Sequence, residues 1–229
     1  RQLMLGVKAV HKTQYLDTPN KYGDAWYPVG ESPFAAAIEA DGSNVFGVAQ
    51  VYLDSECVED AQYRRAFMAK AMERGANWIK GVQYDSLPWH TNPKMLDFLE
   101  TVKTEYDVAV LLQCHDQAMQ ALGPERAAKM LGKYAPVIDY LLLDASHGKG
   151  VNLNPNALQP FVETFYTHDE LNGTAIGVAG GLDDLTISTH LPELLANYPD
   201  LSWDSEGKLH PIRPDGSRPL DMQVVNRYF

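Results

Sequence analysis

One pattern constrains this chain more than any other. Short apolar runs end on a polar residue and a glycine-bearing turn, and they recur at the interval of a strand plus a helix. Tyr140–Leu141–Leu142–Leu143 runs into Asp144, after which Gly148 and Gly150 mark a turn and Asn154–Pro155 a helix start. Some thirty residues on, Thr174 to Ala179 runs into Gly180–Gly181. A strand that is apolar throughout is buried on both faces, and such strands belong to parallel sheets joined by helical crossovers. Repeated βα units of this kind place chemistry at the C-terminal strand ends.

The same reading extends along the chain. Strands are expected over 3–10, 45–53, 78–84, 107–113, 140–144, 174–179 and 201–204. Helices are expected over 61–74 with Gly75 closing, over 92–106, over 117–134 with an interruption near Gly123–Pro124, after Asn154–Pro155, over 191–197 behind Pro192, and over 220–229. Residues 12–33 read as irregular, broken by Pro19, Gly23, Pro28, Gly30 and Pro33. Phe34 to Ala40 fits either a helix or a degraded second strand, and 209–218 reads as an insertion before the last helix. The 229 residues suit one (β/α)8 TIM barrel spanning 1–229, with an irregular first or second βα unit. A doubly wound sheet is the competing α/β fold, but no GxGxxG turn follows the first strand.

Composition narrows the function. A formal net charge of −11 opposes nucleic acid and anionic membranes as partners, while a local anion site stays compatible with it. The two cysteines, Cys57 and Cys114, make no disulfide framework and no zinc pattern. No secretory leader and no run long enough to span a bilayer is apparent, so a cytoplasmic setting is expected.

Several segments resemble the phosphoribosylanthranilate isomerases, a family of phosphate-binding barrels. Leu142–Leu143–Asp144 followed by Gly148–Lys149–Gly150–Val151–Asn152–Leu153–Asn154 is similar to that family's sixth-strand motif. Val178–Ala179–Gly180–Gly181–Leu182 is similar to its seventh-strand Leu-Ala-Gly-Gly-Leu. Gly81–Val82–Gln83–Tyr84–Asp85 resembles its fourth strand, and Val7–Lys8–Ala9–Val10–His11–Lys12–Thr13 stands where the family has Val-Lys-Ile-Cys-Gly-Ile-Thr. The stretch from Leu201 to Gly207 stands for the eighth strand and its Ser-Gly turn. The resemblance covers most of the chain, and its specific part is the 140–187 block.

The resemblance implies an Amadori rearrangement of an aminoaldose phosphate, a step of tryptophan biosynthesis, in which an aspartate is the general acid and a cysteine the general base. Asp144 stands in the acid's place. Valine stands in the base's place, at Val10, and cannot accept a proton. Cys114, His115 and Asp85, at other strand ends, are the replacement candidates, with His11 and Lys8 at the first strand as further ones. Each also has a structural role open to it: Cys114 as a small buried residue, and His115–Asp116 as a helix cap.

Gly180, Gly181, Ser205, Gly207 and Gly150 are the expected phosphate contacts, because glycine turns let backbone N–H groups hold an anion without a basic side chain. Asp183–Asp184 either oppose that anion or cap the helix behind it. His147, Lys149, Lys8 and His11 are the expected substrate contacts. Asp54, Asp85 and Asp144 all end strands, but no ligand spacing among them favours a metal, so neither metal nor cofactor is expected. The expected partner is a small phosphorylated substrate, with a homodimer allowed. Two other readings stay open: a barrel that keeps the phosphate cup without isomerase activity, and a lyase or aldolase of the same fold, for which Lys8 and Lys80 are the Schiff-base candidates.

Overall fold

The computed structural model describes residues 3–19, 45–53, 59–85, 88–145, 155–215 and 221–228. They form two compact units, Arg1–Leu112 and Gln113–Phe229. Each is an α/β arrangement of parallel strands alternating with helices.

In the N-terminal unit, β1 (Leu3–Val10), β2 (Val45–Tyr52), β3 (Ile79–Tyr84) and the first part of β4 (Ala109–His115) pair in chain order, all parallel. Helix α1 (Ala61–Gly75) joins β2 to β3, and α2 (Lys94–Tyr106) joins β3 to β4. Asp60 caps α1 by accepting from the N–H groups of Gln62 and Tyr63. Asp107 ends α2 in the left-handed region at φ 51°, a conformation that Asp tolerates better than most residues.

Register fixes which side chains share a face. Ala9, Val51, Tyr84 and Leu112 lie in one row, all at 1% exposure or less. The Tyr84 hydroxyl meets the Met68 sulfur on α1, and its ring packs edge-on against Phe98 of α2. This is the helix-covered face, and burying it supplies the hydrophobic stabilisation of the unit. The neighbouring row, on the opposite face, is Lys8, Gln50 and Gln83.

In the C-terminal unit, β5 (Tyr140–Asp144), β6 (Ala175–Ala179) and β7 (Ser202–Asp204) are again parallel and in chain order. Helices α3 (Asp116–Gly132), α4 (Pro155–Thr167), α5 (Asp184–Asn197) and α6 (Met222–Tyr228) alternate with them. Leu143, Val178 and Trp203 share one row, while Asp144, Ala179 and Asp204 share the next row on the other face. Neither unit reverses its strand order, as a doubly wound sheet would at its switch point.

All seven expected strands are present, and seven is their number among the described residues, one short of eight. The doubtful segment Phe34–Ala40 lies outside those residues. Two boundaries differ from expectation. Residues 12–15, expected to be irregular, belong to a π-helix, His11–Tyr15. It is anchored to α1: Arg74 donates to the Gln14 carbonyl, and Arg74 and Lys70 both pair with Asp17. The helix expected over 191–197 begins seven residues earlier, at Asp184. Its start is a capping box, in which Asp183 accepts from Thr186 N–H and Thr186 Oγ1 accepts from Asp183 N–H. The β-branched and hydroxyl residues Thr186 to Thr189 obscure this start, because their helix propensity is low. The interruption expected near Gly123–Pro124 is real: Gly123 takes φ 69° within α3.

Candidate functional site

The C-terminal strand ends of the Gln113–Phe229 unit gather the strongest group of expected residues. Asp144 is the last residue of β5 and only 7% exposed. Its Oδ2 accepts a hydrogen bond from Gln113 Nε2 at 2.7 Å. Gln113 is itself 3% exposed, so the contact is made out of water, where a hydrogen bond to a carboxyl group is strongest.

Alternation along β4 then sorts its C-terminal residues. Gln113 and His115 point to one side, Leu112 and Cys114 to the other. Leu112 is the register partner of Tyr84, so Cys114 continues the helix-covered row. Cys114 is completely buried, and that burial pushes its thiol pKa far up. A thiol so placed holds its proton and makes a poor general base. His115 is 5% exposed and caps α3, its Nδ1 accepting from Ala118 N–H at 3.4 Å. Accepting at Nδ1 places the ring proton on Nε2.

The register partner of Asp144 is Ala179, and the Gly180–Gly181 turn begins one residue later. Gly180 and Gly181 adopt φ 104° and 65°. Both values lie where a Cβ is strained, which is the local reason for two glycines here. Ser205, just past β7, donates from Oγ to the Leu182 carbonyl at 2.6 Å and so ties the β7 loop to the glycine turn. Gly207 opens a 3-10 turn, Gly207–Leu209.

Lys208, in that turn, reaches Asp183 at 3.6 Å, and Asp184 pairs with Arg227 at 2.8 Å. The two aspartates therefore work at the start of α5, one as its cap and one as an ion pair with α6. Burial raises the Asp183 pKa, but the hydrogen bonds from Thr186 and the charge of Lys208 outweigh it, leaving the carboxyl below its ordinary range.

The remaining expected residues sit elsewhere. Lys8 and Asp85 belong to the N-terminal unit: Lys8 lies in β1 with its ammonium 5.6 Å from the Tyr52 ring, and Asp85 follows β3. Val10, at the end of β1, shares the face of Lys8 and offers no proton acceptor there. His11 opens the π-helix, and its side chain lies outside the described residues, as do His147, Lys149, Gly150, Asp54 and Cys57. Among the described residues no group of His, Cys, Asp and Glu is placed to hold a metal ion, and no helix is long and apolar enough to cross a membrane.

Sequence reading passed over two members of the site. Gln113 lay inside an expected strand, and only the folded structure shows its amide donating to Asp144. Asp204, the β7 residue in the row of Asp144 and Ala179, was masked by a short, weak strand. Ala179 separates the two carboxylates by two strand spacings, roughly 9–10 Å between Cα atoms. Neither a protein-family model nor a curated protein matches the chain.

Proposed function

We propose that this chain is a β/α-barrel protein that binds a small phosphorylated sugar at the Gly180–Gly181 turn and isomerises it from aminoaldose to aminoketose, in the manner of the phosphoribosylanthranilate isomerases. The observation that carries the reading is the adjacency of Asp144 and the glycine turn. The acid ends one strand, and its register partner on the next strand immediately precedes the two positive-φ glycines. Phosphate is held by backbone N–H groups of that turn and of Gly207, with Lys208 adding positive charge.

In this reading Asp144 gives its proton to the ring oxygen as the C1–O bond breaks, and the nitrogen lone pair forms C1=N. The base takes the proton from C2. The C–H electron pair becomes C1=C2, and the C=N pair returns to nitrogen. Protonation at C1 and loss of the O2 proton then give the ketone, with no oxidant or cofactor involved. We assign the base to Asp204, because it lies on the face of Asp144 while Val10 and Cys114 are unable to serve.

Complementation of a tryptophan-requiring strain lacking the isomerase tests the proposal. Rescue that is lost in Asp144→Asn and in Asp204→Asn supports it. Absence of rescue by the intact chain rejects the isomerase. Val10 favours one second reading, a diverged barrel that keeps the phosphate site without this chemistry. It predicts no rescue together with phosphate binding that Gly181→Val abolishes.

A further inference from the structure

A carboxyl group does not distinguish its own two oxygens, because the torsion that turns an Asp carboxyl is broad and roughly two-fold. At Asp144 that symmetry is broken. Oδ2 accepts from Gln113 Nε2 at 2.7 Å, and both residues are buried. Register holds the Asp144 backbone opposite Ala179, and the amide holds the plane of the carboxyl group. Two constraints from different elements, β5 and β4, therefore meet on one side chain.

Packing alone does not ask for a glutamine at this place. In β4 it lies between Leu112 and Cys114, on the side of Leu111 and His115. An apolar residue of similar size would fill a buried position at no polar cost, whereas a buried amide is costly unless it is hydrogen-bonded. Beneath Asp144 the floor is apolar. Leu142, one pleat down on the same face, leans over Gly177, where a Cβ would come within 3.2 Å of Leu142 Cδ1. The carboxyl group thus rests on hydrocarbon and takes an uncharged N–H donor from β4. Such a donor orients an acid without acting as its counter-ion, which a Lys or Arg in the same place would do.

We infer that Gln113 is a positioning residue that decides which oxygen of Asp144 carries the transferable proton, an inference that rests on Asp144 acting as the acid in the isomerisation proposed above. The carbonyl oxygen of a neutral carboxyl group is its better acceptor, so Oδ2 is the carbonyl and Oδ1 the hydroxyl. Oδ1 gives its proton to the sugar ring oxygen, and the O–H electron pair stays behind on Asp144. The Gln113 N–H then faces a carboxylate, and a hydrogen bond to a charged acceptor is roughly twice as strong as a neutral one. The amide is preorganised for that charge, since it is already in place when the proton departs.

Infrared spectroscopy of the acidified, folded chain tests which oxygen is the carbonyl. The C=O stretch of protonated Asp144 is the band that Asp144→Asn removes. It is expected at lower frequency in the intact chain than in Gln113→Met, which keeps the length of the side chain and loses the donor. Equal frequencies overturn the inference, because Oδ2 is then not a hydrogen-bonded carbonyl. Kinetics test what the orientation does. Gln113→Met should lower kcat for an aminoaldose phosphate about tenfold to a hundredfold with KM within about twofold, as for a misplaced catalytic group. Unchanged kcat, or a rise in KM alone, also overturns the inference. If thermal melting shows Gln113→Met unfolded, Gln113→Leu takes its place in both measurements. An intact chain without turnover rejects the isomerase reading, and the infrared comparison still decides the role of Gln113.

Discussion

The two units build the same parallel βα arrangement and then place opposite kinds of polar residue on the face opposite the apolar layer. In the N-terminal unit that face carries a cation and two amides, Lys8, Gln50 and Gln83. In the C-terminal unit the corresponding face carries Asp144 and Asp204, with Gln113 donating to the first. The other face is alike in both, a close-packed apolar layer: Ala9, Val51 and Tyr84 in one, Leu141, Leu143 and Val178 in the other. The lesson is a division of labour within a strand of period two. One set of alternate residues buys stability, and the other set is free to carry charge.

The largest expected effect tests the acidic face. Asp144→Asn keeps an oxygen for Gln113 to donate to, so the fold survives, and turnover of an aminoaldose phosphate falls by about 10²–10⁴, the usual worth of a general acid. Steady-state kinetics on a variant with an unchanged melting curve checks this, and wild-type turnover removes Asp144 from the chemistry. Next comes the apolar layer. Leu143→Ala leaves a cavity beside Val178 and lowers stability by about 2–5 kcal/mol, read from urea unfolding. A loss well under about 1 kcal/mol would mean that this face is not the packed one.

Cys114 sharpens the same contrast. Its thiol is buried on the packed face, so iodoacetamide labels it only on unfolding, as peptide mapping after graded urea exposure would reveal. Rapid labelling of the native chain would return it to the list of possible bases.

A smaller effect belongs to Asp183. Asp183→Ala removes the cap of α5 and costs about 1 kcal/mol. The Asp183 carboxyl is held below its ordinary range, so its contribution is fully present above the unfolded-state value and is lost as pH falls through the lower folded value. Stability of the wild type should therefore fall more steeply in acid than that of Asp183→Asn, and parallel acid titrations would refute this. The smallest effect is on the cationic face, where Lys8→Met should change stability by only about 0.5–1 kcal/mol, the worth of an exposed cation–π contact. A larger loss in thermal melting would make Lys8 a structural residue.

Sequence alone determined the βα alternation, because runs such as Leu141–Leu143 and Ile176–Val178 have no other way to leave water than as strands covered on both sides. It also determined the glycine turn at 180–181, since only residues without a Cβ take both of those backbone angles without strain. Tertiary structure alone decided which polar residues meet. The pairing of Gln113 with Asp144 joins residues 31 apart in the chain. The rows Lys8–Gln50–Gln83 and Asp144–Ala179–Asp204 exist only through register. A one-residue slip would send each of these side chains to the opposite face, and register is set by packing between distant segments rather than by local preference.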